Sequence, residues 1–143
     1  MNDPFELKRF VEAQDQGGTY EAAVAELRGG RKRSHWMWFV FPQIAGLGQS
    51  PTSRRYAIRS LDEARAYLAH PVLGPRLIQC AEILSELEGA SAAEISGGID
   101  AMKLRSSMTL FARADPATAV FQRVLEAYFA GEPDEATERM LER

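Results

Sequence analysis

The chain has one cysteine, Cys80, in 143 residues, so an internal disulfide framework and a multi-thiolate metal site are both excluded within one chain. Two histidines, His35 and His70, are too few for a His-rich metal site, and neither metal nor cofactor is expected. No apolar run approaches the ~18 residues needed to cross a bilayer. The Met1-Asn2-Asp3-Pro4 start has neither the basic region nor the apolar core of a secretory signal, so the expected location is the cytoplasm, away from membranes. Internal repeats, low-complexity tracts and linkers are also missing, which predicts a single domain over residues 1–143. A chain of this length buries roughly two thirds of its unfolded surface. With 45% hydrophobic and 26% charged residues it has the usage of a globular domain with its own core.

Acid is the absence that says most. Between Glu26 and Asp62 there is no Asp or Glu, yet Arg28, Arg31, Lys32, Arg33, Arg54, Arg55 and Arg59 all fall there. The segment is +7 in a chain of −3, so everything outside it sums to −10. A concentrated positive field attracts phosphate or carboxylate and repels itself if nothing answers it, whereas an ordinary soluble surface mixes signs. The segment therefore predicts an anionic partner, against the plainer reading of a solvated basic face. The −10 remainder repels a long polyanion, which argues against nucleic acid.

The rest of the chain reads as helix, predicting a mainly α, compact bundle with an irregular aromatic- and glycine-rich segment at about 34–59. Asp3 caps a helix beginning at Pro4 and stopped by Gln16-Gly17-Gly18. Thr19 caps the next, through Arg28. Ser60-Leu61-Asp62-Glu63 is a capping box, and Pro71 opens a helix whose Leu73, Leu77, Cys80, Ala81 and Leu84 share a face. A short turn is expected after Ser91. Asp100 leads a helix to Arg113, Asp115-Pro116 opens another over 117–130, and a terminal helix ends at Arg143. Within 34–59, Trp36 to Phe41 favours a strand by propensity, while Ser34 equally suits the cap of a short helix. Both alternatives stay open. Pro42 ends the element in either case.

Two constellations carry candidate chemistry. In the first, Trp36, Trp38 and Phe41 offer flat faces for a ring or a cation, with His35 and Gln43 beside them. Gly46 and Gly48 let backbone approach a phosphate, and Ser50, Arg54 and Arg55 supply donors. The plainer reading packs the aromatics into the core and makes the glycines a connection. In the second, Asp100, Lys103 and Ser107 share a helix face at offsets of three and four, with Ser106 adjacent. Lys103 and Ser106 or Ser107 are then ligand contacts, with Asp100 a candidate base and Asp100 and Lys103 the catalytic candidates that orient water or ribose hydroxyls, against a simple helix start with a local ion pair. His35 is the better catalytic candidate of the two histidines. Cys80, on an apolar face, reads as core.

Residues 30–50 (GRKRSHWMWFVFPQIAGLGQS), 56–77 (YAIRSLDEARAYLAHPVLGPRL) and 99–111 (IDAMKLRSSMTLF) resemble the signature blocks of the bacterial and fungal family called domain of unknown function 1810. The resemblance covers nearly the whole chain and implies a small, mainly α-helical single domain without an assigned activity. The label "calpastatin" carried by some members does not suit this chain, because that inhibitor is a long disordered repeat polypeptide. In size, helical build and aromatic-rich core motifs the chain is also similar to the N-glycosidases acting on ADP-ribose derivatives and related riboside phosphates. Their acidic and tryptophan motifs do not align with it residue by residue. Together these readings predict a domain binding a phosphate-bearing aromatic small molecule, a nucleotide or ADP-ribose derivative, with hydrolysis of its N-glycosidic bond as candidate activity. The alternative is a non-enzymatic module docking an acidic protein through the basic segment.

Overall fold

The N-terminal segment is fastened before any helix begins. Asp3 accepts the Leu7 N–H at Oδ1 (2.8 Å) and the Lys8 N–H at Oδ2 (3.2 Å), and these bonds, the Leu7 one above all, hold its carboxyl below the usual range. Glu6 has φ 53°, a left-handed residue that a helix from Pro4 cannot pass through, so helix α1 spans only Lys8–Asp15. The computed structural model describes residues 3–30, 36–47, 50–87 and 98–142, the side chains of 98–100 excepted.

Gly17 and Gly18, at φ 60° and 72°, reverse the chain into α2 (Thr19–Arg28). Only glycine takes two successive left-handed positions cheaply, so Gly18 holds the cap position expected of Thr19, whose hydroxyl instead donates to Gln16 O at 2.6 Å. The aromatic segment forms a single helical turn, α3 (Met37–Val40), and the strand alternative is not taken. Ser34 lies outside the described residues. After Pro42 the chain meets residue 58 through an isolated parallel bridge between Ile44 and Ile58. Ser50 then caps α4 (Pro51–Arg55), accepting the Ser53 N–H at 3.1 Å with Pro51 at the first turn.

Helix α5 spans Leu61–Ala69, its Ser60 cap accepting the Glu63 N–H, and α6 spans Leu73–Glu86. Helix α7 runs Gly98–Ala114, placing Asp100 inside its first turn rather than ahead of it. Helix α8 covers Val120–Phe129. It starts later than the Asp115-Pro116 signal because Thr118 closes a separate turn on Asp115, its hydroxyl donating to Oδ2 at 2.6 Å. Ala130 and Gly131, both left-handed, end it, and Asp134 caps α9 (Glu135–Leu141). The turn expected after Ser91 lies outside the described residues.

Helix α7 is the axis, packing against α3, α5, α8 and α9, while α6 joins α2, α5 and α8 and α1 rests on α2 and α3. From Ser106 to Phe111 every α7 side chain is buried. A helix enclosed all round shows no amphipathic split in its sequence, and this stretch shows none. Two of its three hydroxyls are satisfied internally, Ser106 donating to Met102 O and Thr109 to Arg105 O. Rings run through the core from Tyr56 to Phe10, Tyr67, Phe111 and Phe121, with centroids 5.1–5.8 Å apart, inside the favourable range for aromatic pairs. Cys80 lies in this core, where burial pushes its thiol up to about 12. At neutral pH it is therefore a thiol and not the reactive thiolate. No described helix is long and apolar enough to cross a membrane.

Candidate functional site

A helical turn rotates successive residues by about 100°, so α3 cannot send Trp36 and Trp38 the same way. Trp36 is fully buried, its Nε1 donating to Glu26 Oε1 at 3.0 Å and its ring 6.2 Å from that of Phe41. Trp38 is half-buried at the surface, its Nε1 donating to Ser53 Oγ at 3.1 Å. Gln14 anchors the turn from beneath through Nε2, which donates to Phe39 O (2.7 Å) and Tyr67 Oη (3.2 Å). The ring of Trp38 is therefore held at Nε1 and the turn that carries it at the neighbouring Phe39 carbonyl.

Two clefts meet at Trp38, Gln43 and Ser53. The larger, about 460 Å³, opens between α3, α4, the first half of α7 and the start of α9, with Ser50, Lys103, Ser106 and Asp134 as its further polar lining and Leu47, Met102 and Ala136 as its apolar lining. The Lys103 ammonium sits 5.0 Å from the Trp38 ring centroid, a cation–π distance. Met102, at 69% exposure, is the large hydrophobic side chain left open to solvent among the described residues. The smaller cleft, about 120 Å³, adds Gly46, Arg54, Tyr56 and Arg59. Gly46, at φ 102°, turns the 43–47 loop where the bridge to residue 58 pins it, Ala45 N–H donating to Ile58 O at 2.7 Å and Ile58 N–H to Gln43 O at 2.8 Å.

Hydroxyl bookkeeping gives the larger cleft a sign. Trp38 and the Ser53 backbone can only donate, to Ser53 Oγ and Ser50 Oγ respectively, and the two hydroxyls share one hydrogen bond of 2.8 Å. Whichever serine donates in that bond, one O–H proton of the pair is left over. Lys103 adds ammonium donors and Gln43 an amide, so the cleft is built to meet acceptor oxygens. Asp134 is its described carboxylate, and Oδ2 accepts from the Thr137 N–H (2.9 Å) and hydroxyl (2.6 Å) as the cap of α9. Its own N–H donates to Thr109 Oγ1 at 2.8 Å, which seats α9 on α7. Asp134→Ala is expected to cost about 1 kcal/mol, the usual worth of such a cap, read as a lower urea midpoint. A loss below a few tenths would deny the cap a structural role.

Of the residues singled out from the sequence, the larger cleft brings together Trp38, Gln43, Ser50, Lys103 and Ser106, while Gly46 and Arg54 join Trp38 and Gln43 in the smaller. Trp36, Phe41 and Ser107 are in the core instead and line neither. The Ser107 hydroxyl is buried with no hydrogen-bond partner among the described residues. Arg55 is exposed on the outer side of α4. His35, Gly48 and the Asp100 side chain lie outside the described residues. Among the described residues no group of three His, Cys, Asp or Glu is placed to hold a metal. Ser53, Asp134 and Met102 were missed. The first two carry a readable signal, since Ser50-Pro51-Thr52-Ser53 and Asp134-Glu135-Ala136-Thr137 are both helix-start patterns.

The family described as protein of unknown function, DUF1810, matches residues 4–141. The crystal structure of the conserved hypothetical protein Rv1873 from Mycobacterium tuberculosis is similar to this chain at 53% identity and a TM-score of 0.95, covering 99% of each chain. No curated protein matches.

Proposed function

This chain belongs to the DUF1810 family of proteins of unknown function, and on that premise we propose, from the chemistry of the cleft, that it binds a phosphorylated small molecule bearing an aromatic ring, of the nucleotide class. One observation carries the reading: the indole of Trp38 walls a cleft of about 460 Å³ with Lys103 5.0 Å from its centroid. That volume is within the ~300–1,000 Å³ of small-molecule sites. A ring stacks on Trp38, and acceptor oxygens meet Lys103, the Ser50–Ser53 pair and Gln43. The phosphate reaches Arg54 beside Gly46 in the smaller cleft, which at about 120 Å³ is the tighter of the two.

Hydrolysis of an N-glycosidic bond would add a carboxylate that orients water at the anomeric carbon. Asp134, with Oδ2 fixed by Thr137, is the described carboxylate on the cleft, so turnover is tested on the same ligands.

Thermal shift with nucleoside monophosphates, ribose 5-phosphate and sulfate, at two salt concentrations, is the first test. A ligand at a hundred times its Kd adds about 2.7 kcal/mol, several degrees for a domain of this size. Trp38→Ala should weaken the responding ligand by about 1–3 kcal/mol, the worth of one base stacked on an aromatic ring. Unchanged affinity in that variant would remove the site assignment. Release of free base would make the domain an N-glycosidase-like hydrolase. No shift across the panel would overturn the reading in favour of a module docking an acidic protein.

A further inference from the structure

We infer that the ligand carries a second anionic group, seated in a groove on the outer side of α4, which makes it a diphosphate and not a monophosphate; this rests on the cleft reading above. Three concavities stand in a row along that helix. The larger and smaller clefts share Trp38, Gln43 and Ser53. The smaller cleft in turn shares Arg54 and Arg59 with a groove of about 330 Å³, while the larger cleft and the groove have no lining residue in common. Helix α4 threads all three: Ser50 and Ser53 line the first, Ser53 and Arg54 the second, Arg54 and Arg55 the third.

The lining changes character along this path. Aromatic, hydroxyl and aliphatic groups at one end give way to Lys8, Arg54, Arg55 and Arg59 at the other, with Glu6 and Glu12 as the acids of the groove. Arg9 lines it too, but its guanidinium is turned to Glu63 and to backbone carbonyls. Lys8, Arg55 and Arg59 therefore face Glu6 and Glu12, and two of those three cations come from the stretch that lacks acid altogether. Such a field is strongest where a second phosphate would lie, and arginine forks match its oxygens. The ligand class is a nucleoside diphosphate or a closely related diphosphate ester.

The test is calorimetric titration of the wild type and a Lys8→Ala, Arg55→Ala double variant with the mono- and diphosphates of adenosine, guanosine, cytidine and uridine. Neither residue lines the larger or the smaller cleft, and both are exposed. The hydrogen bonds that these positions make to Asp3 and Arg9 run through the Lys8 N–H and the Arg55 carbonyl, so the variant keeps them. In the wild type the diphosphate of the preferred base should bind about tenfold or more tighter than its monophosphate, the worth of one charge-assisted hydrogen bond. The variant should keep the monophosphate affinity and lose most of the diphosphate advantage. A bound monophosphate with no diphosphate advantage in the wild type would overturn the groove and leave the cleft standing. Equal weakening of both ligands in the variant would also overturn it, showing a general field instead of a subsite. Binding of neither would overturn the cleft and the groove together. The wild-type comparison stands by itself should the variant not fold.

Discussion

Replacing Glu63 by leucine is expected to destabilise the fold by about 3–5 kcal/mol, the usual loss when one partner of a buried ion pair is removed. Its side chain is 1% exposed and that of Arg9 12%, with 2.8 Å between Oε2 and Nη2. The carboxylate also receives the Arg59 N–H at Oε1 (3.0 Å). Arg9 for its part donates from Nε to Arg55 O (2.8 Å), from Nη2 to Ala57 O (2.9 Å) and from Nη1 to Phe5 O (2.5 Å). One guanidinium thus ties the N-terminal segment to the end of α4 and the entry to α5. Leucine leaves that charge buried without a counter-ion and the Arg59 N–H without its acceptor. Domains hold only about 5–15 kcal/mol in all, so the variant should unfold at a much lower urea midpoint with an unchanged slope. Glu63→Gln restores an acceptor but not the charge, and its loss should fall between the two. If Glu63→Leu lost less than about 1 kcal/mol, the pair would behave as an exposed ion pair does and the clasp would have no structural weight. Because Arg9 grips the carbonyls at the end of α4, the helix lining both clefts and the groove, any surviving fold should also hold its ligand less tightly.

The clasp shows how far the sequence could be read. Ser60 and Glu63 were legible as a helix start, and Ser60 does accept the Glu63 N–H. The Glu63 carboxylate, however, bonds the Arg59 N–H and turns to Arg9, a partner 54 positions away, and no local pattern encodes that. The apolar face of α6 was legible because a period of 3.6 fixes which residues point inwards, and Leu73, Leu77, Cys80, Ala81 and Leu84 are all buried. The candidate site offered no such phase. Its residues stand in adjacent or near-adjacent pairs: Trp36 and Trp38, Arg54 and Arg55, Ser106 and Ser107. On a helix one position is a rotation of about 100° and two are about 200°, so each pair divides. Trp36 and Ser107 go to the core while Trp38 and Ser106 face the larger cleft, and Arg54 reaches the smaller cleft while Arg55 lines only the groove. The residue types and the neighbourhood were readable. Which member of each pair faces the cleft depends on how α3, α4 and α7 rotate against their neighbours.

Gly74→Ala should lower stability by about 3 kcal/mol, the upper end of what overpacking usually costs, although helix propensity alone predicts a gain of about 1 kcal/mol. Gly74 is the second residue of α6, where the chain has just turned out of α5. The turn is tightly bonded: His70 Nδ1 accepts the Val72 N–H (3.1 Å) and the Leu73 N–H (3.3 Å), and His70 O accepts the Gly74 N–H (3.1 Å). A Cβ on Gly74 would lie 2.0 Å from Leu68 O and 2.9 Å from Leu68 C. Both are backbone atoms, so no rotamer relieves the contact and α5 must move away from α6. Those helices bury Ala64, Tyr67, Leu73 and Leu77 in one core, and parting them by even 1 Å forfeits close-packed contacts along the whole seam. Gly29→Ala supplies the control, since its Cβ would meet Ala25 O at an ordinary 3.5 Å with φ at −77°. That variant should be neutral or slightly stabilising. If both alanines behaved alike in urea unfolding, the α5–α6 crossing would be loose enough to absorb a methyl group. The close approach at Gly74 would then not be what fixes the angle between the helices.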